Sequence, residues 1–266
     1  MPDAFYFGRQ RRPLLGLRHA PPAALPVRAA MLACAPLLQD GIRCQRALWT
    51  LGEALAQSGV EVLRFDWFGS GDSPGATDAL RLDGLVDDVA AGIEWLSGVR
   101  PGVPGRVLAL REAAMPLLIH AARSGVAIDA VLWAPVLDGR ALVDGWRRQH
   151  GWQLHAAGRF LVNDRVVEAD ELLGFQLHPA FAEELSTVDA GPLVLPAGSR
   201  LLVAHWPGAA VEDRFLQRQR AAGVDVRVVE LDPADAPDWD DPELFETQLF
   251  PRRSVSRLAG LLAEAA

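Results

Sequence analysis

What most constrains this chain is an alternation. A short apolar run at Arg28–Ala35 and further strand-like segments at Val60–Phe65, Arg106–Leu110, Ile128–Leu137, Leu201–His205 and Val224–Leu231 are separated by segments with helical spacing. In Arg43–Gln57 the periodic set is Ala47, Leu48, Leu51 and Leu55; in Asp83–Leu96 it is Leu85, Val89, Ile93 and Leu96. Further helices are predicted at Glu112–Ser124, Val211–Ala222 and Ser254–Ala265. A strand that is apolar throughout is buried on both faces, and strands joined through helices run parallel. The prediction is therefore an α/β protein, a mostly parallel sheet with helices on both sides. Ahead of it, Ala4–Gly8 and Leu14–His19 flank an Arg-rich turn and read as a hairpin.

One interval breaks the rhythm. Between Asp138 and Gly198 no core strand is legible, although a helix at Arg140–His150 and a hairpin around Asn163–Asp164 are predicted. That is too long for an ordinary connection. It reads as an inserted lid, residues 139–198, on a core made of residues 1–138 and 199–266. Ligands of such sheets bind outside the carboxyl ends of the strands, where the lid would sit.

Composition removes several function classes. The 266 residues are 50% hydrophobic and 23% charged, the proportions of a folded chain. A net charge of −8 argues against a nucleic-acid partner, which needs a basic surface. All 26 basic residues are Arg, so no lysine is present for a Schiff base or a Walker loop. Cys34 and Cys44 make no disulfide framework, and no Cys/His spacing suits a metal; neither cofactor nor metal is expected. The N-terminal segment lacks the pattern of a secretory signal, and no apolar run approaches the ~18 residues of a membrane span, so a cytoplasmic location is expected.

The segment Phe65–Gly75, FDWFGSGDSPG, carries a D-x-x-G-x-G-x-S string at Asp66–Ser73. Together with the flanking APLLQDGIRCQRALWTLGEALAQSGVEVLRFD, it resembles the α/β-hydrolase superfamily over roughly Phe7 to Leu262. VLWAPVLDGRALVDGWRRQH and ELLGFQLHPAFAEEL are similar to a bacterial, serine-aminopeptidase-like subgroup that includes hydrolases associated with exosortase systems. The resemblance implies a nucleophile elbow, an oxyanion loop, and an acid and a histidine in late loops.

None of the triad positions holds its expected group. The elbow, G-x-S-x-G in the family, aligns with Ala109-Leu110-Arg111-Glu112-Ala113, small flanks retained but arginine for serine. A guanidinium stays protonated and cannot attack a carbonyl. It can project into the pocket and hold a carboxylate or phosphate, unless Glu112 beside it neutralises it. The acid's turn reads Pro207-Gly208-Ala209-Ala210, with Glu212 and Asp213 arriving only afterwards. The late loop Asp232–Pro251 contains no histidine, and Trp239 lies nearest its place.

By the resemblance, the oxyanion donors are the backbone N–H groups of Leu37 and Glu112. Trp67, Trp133, Trp206 and Trp239 fall at strand ends on the ligand side and suggest an apolar pocket. Asp138 and His205, or Ser73, are the remaining candidates for unorthodox catalysis. Two functions follow. One is a degenerate hydrolase binding an acyl or carboxylate ligand, carried on a protein or free, or a partner such as a second copy docked through the lid. The alternative is an active esterase, thioesterase or acyl transferase with a non-standard catalytic group.

Overall fold

The structure, a computed structural model, describes residues 2–156, 171–208, 213–239 and 241–264. The chain begins with the hairpin β1 (Asp3–Arg9) and β2 (Arg12–His19), then β3 (Ala29–Cys34), α1 (Leu38–Ala56), β4 (Val60–Phe65) and α2 (Leu82–Val99). It continues through β5 (Gly105–Leu110), α3 (Ala114–Ser124), β6 (Asp129–Trp133), α4 (Gly139–Ala156), β7 (Glu171–Leu172), β8 (Phe175–Gln176) and α5 (Pro179–Ser186). The last elements are β9 (Arg200–His205), α6 (Asp213–Ala221), β10 (Asp225–Glu230) and α7 (Arg252–Glu264).

Eight strands form one sheet in the order β1-β2-β4-β3-β5-β6-β9-β10. The hairpin joins β4 antiparallel, and every later pairing is parallel. In β3 and β4 every residue is buried; β3 is apolar throughout, whereas β4 buries Glu61, paired with Arg18 and Arg100, and Arg64 among its apolar residues. Alternate residues feed two cores: Leu32, Leu63 and Leu132 pack with α2 and α3, while Met31, Val62 and Val131 pack with α1 and α7. The chain winds from β3 to β4 on one side and returns to β5 on the other, so the order reverses between β3 and β5. Loops at the carboxyl ends of those two strands diverge there and leave the crevice that a parallel sheet offers a ligand.

Two expectations need correction in extent. Helix α1 starts at Leu38 rather than Arg43, because the polar turn Gln39-Asp40-Gly41 is helical without contributing to the apolar stripe. Strand β6 ends at Trp133 rather than Leu137: Ala134 takes a φ of +46°, and the apolar Pro135–Leu137 leave the sheet. The expected hairpin at Asn163–Asp164 lies outside the described residues. A short hairpin is present at β7–β8, turning through Leu173 and Gly174, both at positive φ. Within 139–198, α4 and α5 pack closely at Gly139, where any Cβ would collide with the Leu185 carbonyl. No helix among the described residues is long and apolar enough to cross a membrane.

Candidate functional site

Strand β5 delivers Arg111 at a sharp bend. Its φ is +54°, a left-handed conformation that costs a non-glycine residue roughly 1–2 kcal/mol. A 3-10 turn, Arg111–Ala113, then leads into α3. Ala109 and Ala113 are completely buried, and there is no room beside them for larger groups. The bend is held from outside by the Val136 N–H, which donates to the Arg111 carbonyl at 3.2 Å. This strand–bend–helix has the form of a nucleophile elbow with a guanidinium at its apex.

The Arg111 side chain is 12% exposed. Its Nε lies 2.9 Å from Asp40 Oδ2 and 3.6 Å from Glu112 Oε2. Neither contact has hydrogen-bond geometry, so both are ion pairs by proximity. The Trp239 ring covers the guanidinium face, with Cζ 4.1 Å from the ring centroid. The apex of the bend thus sets an arginine against a tryptophan of the late loop. The two Nη atoms make no hydrogen bond to the described residues and still touch solvent.

Glu112, next in the turn, is fully buried. Its Oε1 accepts the Leu37 N–H at 2.6 Å. The two residues expected to supply oxyanion donors, Leu37 and Glu112, are thus joined to each other by this bond. Burial pushes its carboxyl up to about 7; Arg111 and the Leu37 N–H oppose that rise, while Asp40 adds to it. Leu38, next in the loop, is also strained at φ +50°. Cys44, on the same helix, is buried and its thiol is raised by desolvation, so it is an inert filler.

Helix α1 also ties down the late loop. Arg43, 2% exposed, donates from Nε to the Thr247 carbonyl, from Nη1 to the Trp239 carbonyl and Asp40, and from Nη2 to the Asp238 carbonyl, all at 3.3–3.4 Å. Gln149 of α4 donates to the same Trp239 carbonyl at 3.0 Å. The backbone of Trp239 is thus bonded to both α1 and α4. Sequence reasoning missed Asp40, Arg43 and Gln149. A signal existed for Arg43: with Ala47 and Leu51 it lies on the buried stripe of α1, an unusual place for a cation.

The other candidates are dispersed. Trp133, Trp206 and Trp239 form a series of tilted ring contacts, with centroids 6.1 and 6.5 Å apart, and the series ends at Arg111. Trp133 and Trp206 are buried, and Trp206 Nε1 donates to Ser254 Oγ; they are core side chains. Trp67 is separate, bonded to the Ala35 carbonyl, and it lines a cleft of about 130 Å³ with Pro36, Leu38, Ile42, Phe65 and Phe175.

Asp138 is exposed and caps α4 through the Ala141 N–H, and His205 Nδ1 bonds the Trp206 carbonyl. No hydrogen bond joins Asp138 to His205. Ser73 Oγ is consumed between the Asp66 carbonyl and the Leu15 N–H. Residues 209 to 212, where the acid's turn was sought, lie outside the described residues. Among the described residues no group of His, Cys, Asp and Glu could hold a metal. The described part of 139–198 exposes one large apolar side chain, Trp152.

Taken together, the architecture belongs to a class: a doubly wound, mostly parallel sheet with a strained strand–helix bend and an oxyanion-type loop meeting at its switch point. This is the α/β-hydrolase fold. Solved structures agree. Est1E from Butyrivibrio proteoclasticus with ferulic acid bound matches at a TM-score of 0.69 and 13% identity, covering 98% of this chain and 97% of that one. A soluble variant of monoglyceride lipase from Saccharomyces cerevisiae, in complex with a substrate analog, matches at 0.62 and 11%, covering 99% and 94%. XC6422 from Xanthomonas campestris, an α/β serine hydrolase without a lid, matches at 0.56 and 17%, covering 99% and 92%. At such identities the likeness establishes the fold alone. No family model and no curated protein matches the chain.

Proposed function

We propose that this protein is a catalytically silent α/β-hydrolase-fold protein that binds a carboxylate with an apolar tail. The observation that carries this reading is Arg111 at the elbow apex, its Nε paired and its two Nη atoms open to solvent. Two parallel N–H groups match the two oxygens of a carboxylate, and the partly dry surroundings strengthen that pairing. The partly exposed Trp239 and the cleft lined by Leu38, Trp67 and Phe175 supply apolar surface for the tail.

Among the described residues, three parts that hydrolysis needs are missing or already engaged. The apex has no nucleophile, Trp239 stands where the base is sought, and the oxyanion donor Leu37 is already bonded. Residues 139–198 act as the lid on this site, and the ligand is a cytoplasmic acyl group, free or on a carrier.

The test pairs turnover with binding. Short p-nitrophenyl esters and acyl thioesters should show no release above a buffer control, and a fluorophosphonate probe should label nothing. Octanoate should raise the melting temperature, and Arg111→Ala should abolish that rise. Ester turnover that disappears in His205→Ala would establish the active-enzyme alternative; absence of any octanoate effect would remove the ligand reading.

A further inference from the structure

Leu37 N–H points at Glu112 Oε1 across a sequence separation of 75 residues, at 2.6 Å and without solvent access. Glu112 Oε2 has no hydrogen-bond partner, and the nearest cation is Arg111 Nε at 3.6 Å. A buried carboxylate with one oxygen on a backbone donor and the other facing a guanidinium has the placement of a hydrolase's acid product. A residue serving only to pack the elbow would not need a charged end there, because burying a carboxylate is costly unless it is held.

We infer that the oxyanion position is a carboxylate receptor whose resident ligand is the side chain of Glu112, and that this tethered group keeps small carboxylates and acyl carbonyls out. The inference rests on the reading of Arg111 as an anion site and states what controls access to it. Tethering makes the exclusion strong. An attached group competes at a high effective concentration, so a free acid without an apolar tail cannot displace it at millimolar levels. A ligand with a tail reaches the outer Nη atoms and leaves Glu112 in place. Removing the Glu112 side chain creates a cavity that is polar on two sides and about the size of acetate or propionate. Its walls are the Leu37 N–H, the Arg111 guanidinium and the apolar elbow.

The experiment is chemical rescue. Wild type, Glu112→Ala and Glu112→Gln are melted in sodium acetate or propionate against sodium chloride at equal ionic strength. Glu112→Ala should melt below wild type and recover by about 3 °C or more at saturating propionate. Wild type and Glu112→Gln, whose site is filled by an amide of the same shape, should not respond. No recovery in Glu112→Ala beyond the chloride control, or an equal gain in wild type, overturns the inference.

Should Glu112→Ala fail to fold, the Leu37 amide resonance decides the matter. In wild type it should shift through one titration near neutral pH, and in Glu112→Gln it should not; a Leu37 amide indifferent to pH in wild type refutes the contact. The outcomes separate the two claims. Octanoate acting on wild type judges the proposed function, whereas acetate acting on Glu112→Ala judges the occupied oxyanion position.

Discussion

Replacing Arg111 by alanine should destabilise the protein by an amount that depends on pH. In the native state Arg111 is the cation nearest to two carboxylates, Asp40 at 2.9 Å and the fully buried Glu112 at 3.6 Å. Breaking a buried pair from one side costs about 3–5 kcal/mol, and the 12% exposure of Arg111 together with Arg43 beside Asp40 places this case at the low end, about 3 kcal/mol.

The pH dependence follows from Glu112. Its folded pKa, about 7, is above its ordinary value of 4.5, so this group stabilises the fold fully below pH 4.5 and loses that contribution as pH rises to 7. Arg111 is one of the groups that hold this rise in check, so its removal sends the carboxyl higher and widens the window of loss. At pH 8 the variant must bury an unneutralised carboxylate or take up a proton, and the full ~3 kcal/mol appears. At pH 5.5 Glu112 is largely neutral in both proteins, leaving the Asp40 pair and the Trp239 stack, together about 1–2 kcal/mol.

Urea unfolding at the two pH values measures both numbers. Arg111→Gly provides the internal control. It removes the same charge but relieves the φ of +54°, and it should be about 1 kcal/mol more stable than Arg111→Ala at either pH. Equal losses at pH 5.5 and 8, or an alanine variant as stable as the glycine one, would refute the reasoning.

Trp239→Ala should lower stability by about 1 kcal/mol through the lost cation–π contact and leave Arg111 fully open, so that octanoate binds faster but less tightly; stopped-flow binding separates the two effects. Gly139→Ala should destabilise by about 2 kcal/mol or more, because its Cβ meets the Leu185 carbonyl and forces α4 away from α5; urea titration reads this directly. Arg43→Met should free the segment from Asp238 to Leu249, and limited proteolysis should cut there well before the core unfolds.

How far the sequence could be read depends on whether a feature is local. The strands β3, β5 and β9 were legible because each carries a self-contained apolar stretch, and the elbow because its small flanks, Ala109 and Ala113, stand next to the odd residue. The end of β6 was not legible: Pro135–Leu137 are as apolar as the strand, and only Ala134 turning to positive φ takes them out of the sheet. The same limit applies to the site. Arg111 is visible in five residues, but Glu112 meeting Leu37 joins positions 75 residues apart, and Trp239 reaches Arg111 across more than a hundred. Asp40 was hidden for another reason. It lies in a polar turn that resembled a loop until α1 was seen to start at Leu38.

The contrast between two arginines argues that the elbow is a site rather than a repaired scar. Arg43 is structural: it is 2% exposed, and Nε, Nη1 and Nη2 all donate to carbonyl or carboxylate oxygens, four bonds from five N–H groups. Arg111 shares Asp40 with it, yet its Nη pair makes no hydrogen bond to the described residues, on a backbone held in a conformation that disfavours any side chain. If packing alone governed this position, glycine would relieve the strain, and a neutral residue beside it would spare the burial of Glu112. The geometry does neither. It fixes a charged fork at the point where the fold presents its reacting group, balances the inner side of that charge with Asp40 and Glu112, and leaves the outer side available to an anion from solution.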